Sequence, residues 1–149
     1  MTRVEDRHDP ERNAGKLADP TVCPDCRAVF RQGRWRWNGE VEAAGSHRCP
    51  ACRRINDHLP LGEIVLRGDF LRTHRDVIMA CVHSVCDRAY LDHPLERLME
   101  IDEDDDTIRI ATTSAHLARA IGRAVKKGWE GALDLDTGSQ GLARVDWRR

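Results

Sequence analysis

Aromatic residues are scarce in this chain: its 149 residues include two Phe, one Tyr and four Trp, 5% of the total. Long apolar runs are missing as well. No stretch of about 18 consecutive apolar residues occurs, and residues 1–20 are polar and charged. Neither a membrane span nor a secretory signal is expected, and a cytoplasmic location is. Charge of one sign is not in excess, because 24 Lys and Arg against 25 Asp and Glu leave a formal net charge of -1. Attraction to a polyanion cannot come from the total and has to come from the distribution. A Gly-rich phosphate loop, a nucleophile elbow and an HExxH motif are all absent, so the chain reads as a binding protein rather than an enzyme, and no small-molecule substrate is evident. What is present, 40% hydrophobic and 33% charged residues, suits a modest core: one ordinary domain, or a small metal module attached to a compact one.

The chemistry concentrates in cysteine. Cys23-Pro24-Asp25-Cys26 and Cys49-Pro50-Ala51-Cys52 form two Cys-Pro-x-Cys pairs separated by residues 27–48. Two residues between thiols let each pair chelate one ion with two sulfurs, and two pairs close a tetrahedral shell with no position left for water. A closed shell is a scaffold, so Cys23, Cys26, Cys49 and Cys52 are expected to hold one structural zinc ion. A redox dithiol and a rubredoxin-type iron site are the rival readings; arginine follows each pair, as Arg27 and Arg53, where rubredoxin pairs usually continue with glycine. His47 and His58 lie near the second pair but are not needed once four cysteines complete the shell. Cys81 and Cys86, five apart in a helical pattern, read as buried thiols and not as a bridge.

Between the pairs stands Phe30-Arg31-Gln32-Gly33-Arg34-Trp35-Arg36-Trp37. Strand alternation is expected to put Arg34 and Arg36 on one face and Trp35 and Trp37 on the other. Residues 21–55 hold seven arginines against Asp25, Glu40 and Glu42, a local excess of +4 in a chain whose total is negative. Such a patch neutralises phosphates and stacks bases; in the plainer reading the tryptophans are the core of the small module and the arginines its solvated surface.

Downstream, residues 63–67 read as a strand ended by Gly68. A helix capped by Asp69 or Thr73 runs to Asp92 and is stopped by Pro94. Residues 95–102 read as extended, joined through the acidic turn 103–106 to a strand over 107–111. A second helix begins at Thr113 or Ser114 and ends at Lys127, with Gly128 as its stop. Segments 132–136 and 143–147 make a final hairpin. The fold class is α+β: a disordered tail (1–20), a four-cysteine zinc ribbon (21–56), and a ferredoxin-like βαββαβ sandwich with an extra C-terminal strand (62–149). Its single antiparallel sheet is covered by both helices on one face and open on the other. Arg119, Arg123, Lys126 and Lys127 form a basic stripe on the second helix, and Thr112-Thr113-Ser114 at its start offers an anion site. The acidic run 102–106 reads as a solvated turn, since an EF-hand loop needs glycine and glutamate where Thr107 and Thr113 stand. His74, His83 and His93 read as packing or surface groups.

The two cysteine pairs with Arg53-Arg54-Ile55, His93-Pro94-Leu95-Glu96-Arg97 and Thr112-Thr113-Ser114-Ala115-His116-Leu117-Ala118-Arg119 resemble an uncharacterised family of small bacterial zinc-ribbon proteins over about residues 20–149. More distantly, they are similar to the N-terminal zinc-binding part of the archaeal and eukaryotic large-ribosomal-subunit export adaptor. That resemblance implies an RNA or ribosome partner. The expectation is a non-catalytic, zinc-stabilised, RNA-binding or ribosome-associated protein, with Arg31, Arg34, Trp35, Arg36, Trp37, Arg119, Arg123, Lys126 and Lys127 on the nucleic acid. The alternatives are a protein-interaction adaptor using the ribbon or the open sheet face and, third, a metal-dependent nuclease or hydrolase.

Overall fold

The computed structural model describes residues 17–37, 39 and 41–149. Most of the expected tail, residues 1–16, lies outside them, while its last residues belong to the first unit. Leu17 packs on that unit's core, and Asp19 Oδ2 accepts the Gln32 N–H at 3.0 Å.

The first unit contains β1 (Thr21–Val22), β2 (Val29–Arg31), β3 (Arg34–Arg36), β4 (Gly45–Ser46) and α1 (Pro50–Asp57), with strand order β3-β2-β1-β4. Gln32 and Gly33, both at positive φ (54 and 79), make the two-residue turn between β2 and β3 and set Arg31 opposite Arg34. A ribbon would put both cysteine pairs in turns between strands; here the second pair opens a helix. Pro50 supplies the fixed φ of the first helical position, and Cys49 caps the helix, its sulfur accepting the Cys52 N–H.

The second unit runs β5 (Gly62–Arg67), α2 (Asp69–Asp92), β6 (Leu98–Glu103), β7 (Thr107–Thr112), α3 (Ala115–Trp129), β8 (Ala132–Thr137) and β9 (Ala143–Arg148), in the sheet order β6-β7-β5-β9-β8. The α+β class and element order follow the sequence, but the single antiparallel sheet does not. The last strand, β9, inserts beside β5 and runs parallel to it, which displaces β8 to the edge. Burial explains the exchange. Ala143, Val145 and Trp147 bury one side of β9, whereas β8 offers only Leu133 half-buried and exposes Leu135 between Asp134 and Asp136. The more apolar strand takes the central place.

Ile64, Leu66, Ile108, Ile110, Val145 and Trp147 meet Leu71, Ile78 and Val82 of α2 and Leu117, Ile121 and Val125 of α3 in one core, so both helices cover one face. The close approach of α3 depends on Gly122, where a Cβ would lie 2.4 Å from Val145 Cγ1. The opposite face interleaves Arg67, Arg109, Arg144 and Arg148 with Glu63, Asp134, Asp136 and Asp146, and Arg67 pairs with Asp146 at 2.9 Å. It is a charge lattice rather than an apolar docking face.

Three expected boundaries move. α2 is capped by the Gly68 backbone, not by Asp69 or Thr73. α3 passes through Gly128 and ends at Glu130 and Gly131, both at positive φ, where a Cβ on Gly131 would collide with Arg148 and Trp147. Residues 93–97 are not strand: they arch out of the second unit, and β6 begins at Leu98. That arch builds one side of the site.

Candidate metal centre

Four sulfurs converge between the two halves of the first unit. Cys23 follows β1, and its carbonyl accepts the Arg27 N–H at 3.0 Å while its N–H donates to Ala28 O at 2.9 Å, a tight turn that returns Cys26 to the same point. Cys49 and Cys52 come from the first turn of α1. All four Sγ atoms lie within 4.8 Å of one another, and Cys26 and Cys49 are 3.7 Å apart. A tetrahedral shell with metal–sulfur bonds of ~2.3 Å has sulfur–sulfur edges of about 3.8 Å. The spacing fits such a shell, and all six cysteines are free. Arg48 pairs with Asp25 at 2.5 Å and ties one cysteine pair to the other.

The electrostatics call for a cation. Backbone N–H groups point at sulfur from Ala28 (to Cys26, 3.4 Å), Cys49 (to Cys23, 3.3 Å) and Cys52 (to Cys49, 3.3 Å). Cys26, accepting from the Cys49 thiol and then from Ala28 and Arg97, is held down at about 4 against the opposing effect of burial. The same contact, with burial, pushes Cys49 far up, and burial first of all pushes Cys52 to about 11. Without a cation, ionisation is favoured at Cys26 and opposed at Cys49 and Cys52. Four ionised sulfurs this close require a bound positive ion.

The sequence argument against iron loses its force. Arg27 adopts φ 71 without being glycine, so arginine after the first pair does not discriminate between metals.

Around the cluster the structure adds residues that spacing did not single out. Leu95, on the 93–97 arch, packs on the first unit's core. Arg97 reaches over from the second unit, its guanidinium nitrogen 3.9 Å from Cys52 Sγ and 4.0 Å from Cys49 Sγ. It lies over the rings of Trp37 (5.3 Å) and Tyr90 (5.4 Å), while the Trp37 indole N–H donates to the Tyr90 carbonyl. Burial pulls the Arg97 pKa down, the neighbouring thiolates push it further up, and the net direction is up. Beside this contact runs an open groove of about 760 Å³, with Arg34, Trp35, Arg36 and Trp37 on one side and Leu91, His93, Pro94 and Glu96 on the other.

The expected nucleic-acid residues are only partly brought together. Arg31, Arg34 and Arg36 are exposed on one face of the β2–β3 hairpin, as alternation requires. Trp35 is 9% exposed and packs against Phe30 in the core, whereas Trp37 is half-buried, rests on Tyr90 at 4.9 Å and keeps one side on the groove. The small unit needs its aromatics as core. Arg119 donates to Thr137 Oγ1, and Arg123, Lys126 and Lys127 are exposed on α3. α3 starts beside the arch and runs away from it: twelve residues from Ser114 to Lys126 span ~18 Å at ~1.5 Å per residue.

The hydroxyls of the anion site expected at the start of α3 are engaged by the protein itself. Ser114 Oγ accepts the Leu117 N–H, Thr112 Oγ1 donates to Ser114 O, and Thr113 Oγ1 donates to Leu95 O and accepts the Arg97 N–H. The acidic turn is wrapped by Arg75, which pairs with Glu103 at 2.8 Å and donates to the Asp104 and Asp105 carbonyls. His58 closes α1, His74 stacks on Phe70 and His93 closes α2. Among the described residues, the four cysteines are the one group of three or more Cys, His, Asp or Glu side chains close enough to share a metal, and no helix is long and apolar enough to cross a membrane. No protein-family model, curated protein or solved structure matches this chain.

Proposed function

We propose that this is a non-catalytic, zinc-stabilised RNA-binding protein of the cytoplasm, with ribosomal RNA or the ribosome as its partner. The observation that carries the reading is the hairpin. Arg31 stands directly opposite Arg34 in the ladder with Arg36 on the same face, and none has a carboxylate partner among the described residues. Like charges in register are destabilising, and a phosphate between them relieves the repulsion. The four-thiolate shell supports zinc, which takes closed tetrahedral sulfur sites as scaffolds. A βαββαβ ancestry, with β9 inserted, is the topological reading that goes with it.

Trp35 acts in this reading as a support of the hairpin, and Trp37 both supports it and lines the groove. Arg119, Arg123, Lys126 and Lys127 form a second contact used by an RNA long enough to span the molecule.

The test is the affinity for purified ribosomal RNA as a function of salt, for the wild type and for Arg34→Ala/Arg36→Ala. Two lost phosphate contacts should lower the magnitude of the log–log salt slope by about 2. An unchanged slope in a folded, metal-loaded variant sinks the role of the hairpin. One observation favours a protein adaptor as the second reading: Leu91 is 72% exposed at the groove beside Tyr90, 44% exposed. Salt-insensitive co-purification of a single protein, with no RNA crosslinked in cells, would select it.

A further inference from the structure

We propose that Arg97 is a fifth protein component of the metal centre: an outer-shell cation that the second unit places against the four-thiolate cluster, locking the cationic hairpin onto the end of α2. The proposal rests on the four cysteines holding a divalent metal and not on the RNA reading. Four thiolates around a divalent ion leave a formal charge of about -2. Three backbone N–H groups answer part of it. Arg97 supplies the full positive charge, within 4.0 Å of two of the sulfurs.

The guanidinium is half-buried and forms no ion pair with a carboxylate among the described residues, so the anion it faces is the sulfur cluster. A buried cation without a counter-charge is costly, and one facing thiolates is not. The placement is also built, not incidental. Arg97 Nε donates to Pro94 O at 2.6 Å, its backbone N–H donates to Thr113 Oγ1 at 2.8 Å, and its carbonyl accepts the Thr113 N–H at 2.9 Å. Trp37 from the first unit and Tyr90 from the second share its side chain, so one residue touches metal ligands, hairpin and helix end together.

It follows that the metal fixes more than the small unit. The groove has one side on β3 and the other on the 91–96 segment, and Arg97 joins them. Losing the ion removes the anion that Arg97 faces and frees the two sides from each other.

The experiment compares zinc release to a chromophoric chelator, and the thiolate-to-metal charge-transfer band of the cobalt-substituted protein, for the wild type, Arg97→Ala, Arg97→Gln and Arg97→Lys. Partners outside the ligand shell typically change metal affinity 10–100-fold. Ala and Gln should release zinc at least about 10-fold faster and shift the cobalt band, while Lys, keeping the charge, should stay near the wild type. If Arg97→Ala does not fold, the Gln and Lys pair decides. Gln releasing as slowly as the wild type, or Lys releasing as fast as Gln, overturns the proposal, because the first denies any role and the second reduces Arg97 to packing. Wild-type protein refolded with zinc that retains none overturns the metal reading itself, and this proposal with it.

Discussion

The two units of this chain solve the problem of burial with different materials. The second assembles sixteen buried residues into one core, from Ile64 to Trp147, almost all aliphatic. The first assembles seven, of which three are cysteines and two are alanines, leaving Phe30 and Trp35 as its only bulky groups. Apolar burial at ~25 cal/mol per Å² can hold the second unit together, but seven residues, five of them cysteine or alanine, cannot offset the ordering entropy of the first. The difference teaches where function can sit. A unit relieved of building a core can spend its surface on charge, and its hairpin exposes Arg31, Arg34 and Arg36 on one face with no carboxylate partner among the described residues.

Removing one ligand should break the comparison most severely. Cys49→Ser loses a sulfur that both completes the shell and caps α1, so metal content should fall from about one ion to near zero by elemental analysis. The first unit should lose its fold, since structural zinc contributes on the order of 10 kcal/mol in small domains. Truncating the other core should do the reverse. Trp147→Ala removes a fully buried indole hydrogen-bonded to the Glu130 carbonyl, and should cost about 3–5 kcal/mol in denaturant unfolding of the second unit while metal stoichiometry stays at one.

A smaller effect sharpens the contrast between caps. Ser114→Ala leaves the Leu117 N–H without its partner and should cost about 1 kcal/mol in the second unit alone. The smallest expected effect is a pH dependence. Burial, and then Asp87, push the Cys86 thiol up to about 11, so the folded unit keeps a proton that the unfolded chain gives up near 8.5. That contribution is complete below the unfolded value and is lost as pH rises toward 11, so unfolding at pH 8 and pH 10 should differ in the wild type and differ less in Cys86→Ala.

What could be read in the sequence was short-range. Two thiols separated by two residues are a local signal, and so are Ser114 before an amphipathic stretch and the alternation of residues 107–111. These placed the four ligands, α3 and most strands. Long-range competition was invisible. That β9 would displace β8 depended on which of two similar hairpin strands buried more, a property of the finished sheet. The role of Arg97 rests on contacts spanning 45 and 48 residues, and the seat of Trp37 on one spanning 53. Pro94 and Thr113 look ordinary until the arch they hold is seen. Thr113 had been expected to serve an anion because nothing in the sequence shows that Leu95 and Arg97 would use it first.

The most direct test of the account is a two-dimensional amide NMR spectrum of the zinc-loaded protein before and after stoichiometric chelation. The account predicts that resonances of residues 21–57 collapse toward random-coil positions, that those of Trp37, Tyr90 and residues 93–97 shift with them, and that the remainder of 62–149 stays dispersed. Loss of dispersion throughout the chain, or an unchanged spectrum after the metal is gone, would contradict it.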